Sequence, residues 1–187
     1  SMPTARLLIS VCPAVFCRVR QSTYQGVRKL ATHYMSARES ASLGEWTVET
    51  LILASTSQWR RQLLEEAGIE AECIASGVDE DSILGKTPEE TAVLRAEAKA
   101  MAVARQRPGV LILGADQVIH LDGEAIGKPP SDTVWRERLK AMRGRPHALT
   151  TAIALWDGQG LQREAVTTMV QFRHDITDEE LDAYIAC

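Results

Sequence analysis

Four apolar residues in a row, Val110-Leu111-Ile112-Leu113, follow Pro108-Gly109 and run straight into Gly114-Ala115-Asp116-Gln117. A short continuous apolar run, β-branched in part and bounded by glycine and proline, suits a strand buried on both faces. Such a strand needs cover on each side, and the segments around it supply candidates. Leu51-Ile52-Leu53-Ala54 reads as a strand that passes through small polar residues into a helix over Trp59–Ala67, stopped by Gly68. Ala71 to Ser76 reads as a second short strand. Thr87-Pro88-Glu89-Glu90 is a capping box with proline at the first helical position, and it opens a helix that runs to Arg107.

Beyond the apolar run, Val118–Leu121 and Glu124–Ile126 flank Asp122-Gly123, a pair that readily takes the positive φ angles of a tight hairpin turn. Ser131 or Asp132 caps a helix with Trp135, Leu139 and Met142 on one stripe, closed by Gly144. His147–Asp157 and Leu161–His174 read as a long antiparallel pair, and Thr177-Asp178-Glu179-Glu180 is a capping box for a last helix. Helices alternate with strands and with one or two hairpins, so the expected class is α/β with a mixed β-sheet flanked by helices.

The chain of 187 residues is long enough for one domain with its own core. Residues 1–50 differ from the rest: they are basic, without a sustained period, and read as an N-terminal extension in which Ser1-Met2 looks like a remnant of expression. The domain is expected over residues 51–187. The formal net charge of −4 conceals a contrast, because residues 1–50 carry six Lys/Arg against three Asp/Glu and the remainder fifteen against twenty-two. An acidic body argues against a nucleic-acid-binding module, which needs a basic face for backbone phosphates. Cys12, Cys17, Cys73 and Cys187 show neither a disulfide framework nor zinc spacing with His33, His120, His147 and His174, which fits free thiols in the cytoplasm. The apolar run Leu7–Cys17 is broken by Pro13 and is too short to span a membrane as a helix.

Three places suit chemistry better than packing. In Ser55-Thr56-Ser57-Gln58-Trp59-Arg60-Arg61, small hydroxyl residues at a helix N-terminus leave N–H groups for an anion, and two arginines add donors that match phosphate. Arginines in a first turn oppose the helix dipole, which a ligand phosphate offsets; the alternative is a surface helix with two solvated arginines and a packed tryptophan. Asp116 follows a buried strand, where open α/β sheets place ligands, although an aspartate there also suits a turn. Lys128, between Gly127 and Pro129, can hold a point charge against phosphate or sit in solvent. A polyphosphate needs cations and usually a divalent metal, for which Asp79, Glu80 and Asp116 are carboxylate candidates. No P-loop, nucleophile-elbow, H-E-x-x-H or dinucleotide glycine fingerprint is present.

Taken in order, Leu51-Ile52-Leu53-Ala54-Ser55-Thr56-Ser57, Trp59-Arg60-Arg61, Val78-Asp79-Glu80, Gly114-Ala115-Asp116, Leu121-Asp122-Gly123-Glu124, Gly127-Lys128-Pro129 and Thr177-Asp178-Glu179-Glu180 resemble the Maf family of nucleotide pyrophosphatases. The resemblance implies a strongly twisted mixed sheet of the Maf/ITPase type with a cleft between two lobes, a homodimer, and hydrolysis of a nucleoside triphosphate to a monophosphate and pyrophosphate with Mg²⁺ or Mn²⁺. It implies Asp116 as catalytic carboxylate, Ser55, Arg60, Arg61, Lys99 and Lys128 around the phosphates, and Glu80 with Asp116 at the metal.

Within the family, Trp59, Gln117 and Val170-Gln171-Phe172-Arg173-His174 resemble the branch acting on 7-methyl-GTP. A 7-methylated purine is cationic, and an indole face attracts a flat cation. The alternatives are the branch acting on dTTP and UTP, and a catalytically impaired nucleotide-binding or septum-regulating protein. Two departures stand out: Lys99 falls a residue short of the family's usual spacing from Arg95, and the chain stops at Cys187 where the family continues into a Gly-rich segment with a third specificity residue. A domain cut short there is expected to expose sheet edges.

Overall fold

The computed structural model describes residues 51–127 and 129–186. The expected N-terminal extension and Lys128 lie outside them. In chain order the elements are β1 (Leu51–Leu53), α1 (Gln58–Glu66), β2 (Ala71–Cys73), a 3₁₀ turn (Glu80–Ser82), α2 (Pro88–Ala104), β3 (Leu111–Leu121), β4 (Glu124–Ile126), α3 (Asp132–Met142), β5 (Pro146–Trp156), β6 (Leu161–Gln171) and α4 (Asp178–Ile185). The strands form one sheet in the order β2-β1-β3-β5-β6, with β4 also on β3. β1 is parallel to β2 and β3, whereas β4 and β5 run antiparallel to β3, which makes the expected mixed α/β class correct.

The described chain divides into two compact units, one of residues 51–126 and 148–168 and the other of 127–147 and 169–186. In the first, alternation along β3 assigns each side chain to a face. Ile112 and Val118 join Ile52, Ala54, Ala152 and Ala154 against the α2 residues Ala92, Ala96, Ala100, Val103 and Ala104. On the opposite face Leu111 and Leu113 pack with Leu51, Leu53, Leu155 and the α1 residue Leu64. The alanines at four-residue spacing on α2 leave that helix almost without side-chain bulk toward the sheet. A Cβ on Gly114 would meet the Ala96 carbonyl oxygen and lie 2.8 Å from Ala100 N, so the helix backbone rests directly on the strand.

In the second unit Leu139, Ile176 and Leu181 form a small core with Trp135, Phe172 and Tyr184 around it. Trp135 and Tyr184 meet edge to face at 5.6 Å. Asp178 at the start of α4 accepts from Arg143 at 2.6 Å and pairs with Lys140 at 2.9 Å and Arg136 at 3.3 Å of α3. Hydrogen bonds from Arg143 and then Lys140 hold its carboxyl well below the usual carboxylate range. The capping box of α4 is reciprocal, with Thr177 Oγ1 accepting from Glu180 N at 3.2 Å and Glu180 Oε2 from Thr177 N at 2.9 Å.

Several boundaries differ from the sequence expectation. The second strand ends at Cys73 because β1, with which it pairs, ends at Leu53, whose carbonyl accepts a last bond from Ile74 N. The helix from Pro88 stops at Ala104 rather than Arg107. The larger correction concerns Asp116, which does not follow the end of its strand: β3 continues to Leu121 because β5 pairs with it from Ile112↔Trp156 to His120↔Ala148. The hairpin turn is as expected, with Asp122 at φ 52° and Gly123 at φ 86°.

The close approach at Gly114 gives a test. Gly114→Ala is expected to lower stability by about 3 kcal/mol, since a single added carbon must push the helix backbone off the strand. Gly160→Ala, where a Cβ meets nothing within 4 Å, is expected to change it by less than about 0.5 kcal/mol. Urea unfolding of the two variants measures the contrast.

Candidate active site

The site is built where β1 ends. Leu53 pairs with Leu113, Ala54 N still donates to Leu113 O at 2.8 Å, and then Ser55 N turns back to Leu53 O at 2.8 Å. The chain leaves the sheet there and enters α1 through Ser57, whose side chain caps the helix by accepting from Arg60 N. Since β5 occupies the far edge of β3, β1 and β4 must share the near one: β1 covers 111–113 and β4 covers 119–121. Among the described residues no strand pairs with 114–118 on that edge. Asp116 and Gln117 therefore lie at a gap in the sheet, just past the carboxyl end of β1. The placement agrees with the rule that α/β sheets bind ligands beyond strand carboxyl ends, with β1 as the strand that ends.

On the α2 face, Asp116 is 3% exposed and Lys99 4%. Lys99 Nζ lies 2.6 Å from Asp116 Oδ1, 2.9 Å from Glu80 Oε1 and 3.4 Å from the Ala115 carbonyl oxygen. Asp116 Oδ2 is buried and accepts no hydrogen bond. A buried ammonium between two carboxylates satisfies its own charge and leaves the acid side with an oxygen to spare. Each of the three residues is visible in the sequence, but their mutual contact is not, since they come from a 3₁₀ turn, a helix and a strand.

On the α1 side, Ser55 is buried and its Oγ accepts from Ser57 N at 3.2 Å and from the Arg60 guanidinium at 3.1 Å. Arg60 thus leans over the loop at the helix N-terminus. Arg61 points elsewhere, pairing at 2.7 Å with Glu65 on the exposed side of α1. Trp59 is 46% exposed, so it is no core filler. Gln117 is exposed on the face opposite Asp116, and its Nε2 donates to Thr151 Oγ1 at 2.8 Å. The face that bears Leu111 and Leu113 under α1 also bears Gln117, so Trp59 and Gln117 belong to one side of the sheet.

Residues not singled out in the sequence also emerge. Thr150, fully buried, bonds His120 Nε2 at 3.0 Å and Thr167 Oγ1 at 2.8 Å on the Asp116 face. Paired threonines in a strand carry no signal of this kind until the register is known. Among the described residues no group of three or more His, Cys, Asp or Glu is placed to hold a metal ion. No helix among them is long and apolar enough to cross a membrane.

A family model described as Maf-like protein matches residues 50–187, and the chain belongs to the Maf family. It is 42% identical to a 7-methyl-GTP pyrophosphatase of Cupriavidus pinatubonensis over 72% of this chain and 68% of that protein. It is 43% identical to a dTTP/UTP pyrophosphatase of Geotalea uraniireducens over 73% of this chain and 71% of that protein. In a structural comparison, a Ham1 protein of Staphylococcus aureus matches with a TM-score of 0.44 at 21% identity, over 65% of this chain and 70% of that one.

Lys99→Met is expected to destabilise the protein by roughly 3 kcal/mol, because it leaves Asp116 buried without its counter-ion. Adding Asp116→Asn to that variant is expected to recover most of the loss, and thermal unfolding of the single and double variants checks it.

Proposed function

We propose that this protein hydrolyses 7-methyl-GTP to 7-methyl-GMP and pyrophosphate. Its membership of the Maf family, whose relatives are named nucleoside triphosphate pyrophosphatases, makes the chain an enzyme of that class; the base is the proposal. The observation that carries it is the exposed Trp59 indole at the N-terminus of α1, on the same side of the sheet as Gln117. An accessible indole face favours a cationic ring, which 7-methylguanine is and uracil or thymine is not. The similar identity to a dTTP/UTP pyrophosphatase supports pyrimidine triphosphates as the second reading.

In this reading the N-terminus of α1, with Ser55 and Arg60, receives the phosphates, because a helix N-terminus favours anions and the Arg60 guanidinium already lies over the loop on Ser55 Oγ. Lys99 holds the Asp116 carboxylate by Oδ1 and leaves Oδ2 to accept a proton from the water that attacks the α-phosphorus. The bond from the α-phosphorus to the bridging oxygen breaks, and pyrophosphate leaves. Lys128 is a further phosphate contact in the proposal, and Arg61 becomes one by exchanging Glu65 for phosphate.

A divalent cation, Mg²⁺ or Mn²⁺, fits the donors present: two carboxylates, Glu80 and Asp116, one with an unsatisfied oxygen, and phosphate oxygens to complete the shell. When bound, it supplies charge neutralisation and activation of water. The family resemblance adds a homodimer to the proposal, and the cysteines without a disulfide framework add a cytoplasmic location.

Pyrophosphate release with Mg²⁺ from 7-methyl-GTP, GTP, UTP and dTTP tests the reading, and turnover is expected to favour 7-methyl-GTP. Preference for UTP or dTTP replaces it with the second reading. Asp116→Asn is expected to abolish turnover while nucleotide still binds; undiminished turnover removes Asp116 from the chemistry. Trp59→Ala is expected to reduce the preference for 7-methyl-GTP over GTP roughly tenfold, measured as the ratio of kcat/KM values.

A further inference from the structure

Beside Gln117, the α1 side of β3 and β5 is open: Ile119 is exposed, and Thr151 and Ile153 are half-buried next to it. Gln117 and Thr151 are directly opposite in the register, where cross-strand side chains come closest to one another. A glutamine amide has a donor end and an acceptor end of nearly the same shape, so what it offers a ligand depends on which end is already held. Here Nε2 is held, by Thr151 Oγ1 at 2.8 Å. The carbonyl oxygen is the end that points away from Thr151.

We propose that Thr151 is a positioning residue for base selection, which by accepting from the Gln117 amide turns the Gln117 carbonyl toward the ligand and selects a base edge with adjacent N–H donors. The inference rests on the reading of Gln117 as a base-recognition residue. A guanine edge carries N1–H beside the 2-amino group, two donors in a row for one carbonyl oxygen. Uracil and thymine carry a single N–H between two carbonyl oxygens, whose lone pairs repel it. A positive charge on the purine strengthens its donors further. Thr151 does not contact the base; it holds the amide in the orientation seen, with the carbonyl outward, and its loss leaves Gln117 free to turn.

The test compares Thr151→Val, Thr151→Ser and Gln117→Ala, with KM and kcat for 7-methyl-GTP, GTP and UTP from pyrophosphate release. Equilibrium binding of the same nucleotides is measured in an Asp116→Asn background, so that affinity is read whether or not turnover occurs. Thr151→Val is expected to weaken both guanine nucleotides about fivefold, the size of a lost neutral hydrogen bond, and UTP less than about twofold. Thr151→Ser, which keeps the acceptor, is expected to behave as the parent chain. If Gln117→Ala changes the guanine-to-uracil ratio and Thr151→Val does not, Gln117 keeps its role and the inference about Thr151 is overturned. An unchanged ratio in Gln117→Ala overturns both. A loss in Thr151→Val that is equal for all three nucleotides, or one that serine fails to restore, marks a structural role and also overturns the inference.

Discussion

The contact between the backbone of α2 and the strand β3 at Gly114 governs the arrangement of everything around it. Ala92, Ala96 and Ala100 are completely buried on the helix face turned to the sheet, and Gly114 has no side chain to hold the two apart. Close packing of this kind is unforgiving, because a single methylene has nowhere to go. It brings Lys99, between Ala96 and Ala100 in the sequence, into reach of Asp116 two residues beyond Gly114 on the same face. A helix standing a side chain further out would leave the ammonium short of the carboxylate and the acid buried alone, which is the costlier arrangement.

The gap in the sheet edge is the second organising feature. β1 is only three residues long and β4 begins its pairing at Ile119, so the near edge of β3 lacks a partner strand over 114–118 among the described residues. Adjacent strand residues point to opposite faces. In a continuous sheet Asp116 and Gln117 would serve separate surfaces, one under α2 and one under α1. At the interrupted edge the Lys99, Glu80 and Asp116 charges lie on the α2 face, and the Gln117 amide lies on the face that carries α1 with its exposed Trp59. This division matches the division of the proposed labour, with phosphate chemistry on the buried, charged face and base recognition on the exposed, aromatic one.

Much of this was legible in the residues. The buried strand from Leu111, the capping signals at Thr87, Ser131 and Thr177, and the Asp122-Gly123 turn depend on local chemistry, and each lies where expected. Ser55, Arg60 and Asp116 stood out because small hydroxyls, first-turn arginines and a carboxylate after an apolar run are poor packing choices. The strand expected to end at Leu113 continues to Leu121 for a physical reason: glycine and polar residues look like a strand's end until a long antiparallel partner is known to pair past them. Arg61 is equivalent to Arg60 by local sequence, yet the rotation of about 100° between neighbouring helix residues sends it to Glu65 instead of Ser55. Lys99, expected around the phosphates, is buried between the carboxylates of Glu80 and Asp116.

The sequence by itself determined the class of fold, the order of its elements and the residues with chemistry to offer, since propensity, capping and periodicity act over a few residues. Tertiary structure alone decided which of those residues meet. That Lys99 bridges Glu80 and Asp116, that Gln117 turns its back on Asp116, and that Thr151 holds the Gln117 amide all follow from strand register and from how closely a helix can approach a strand. These are contacts between segments far apart in the chain, and no local rule of the sequence fixes them; they are settled only when the core closes around Gly114.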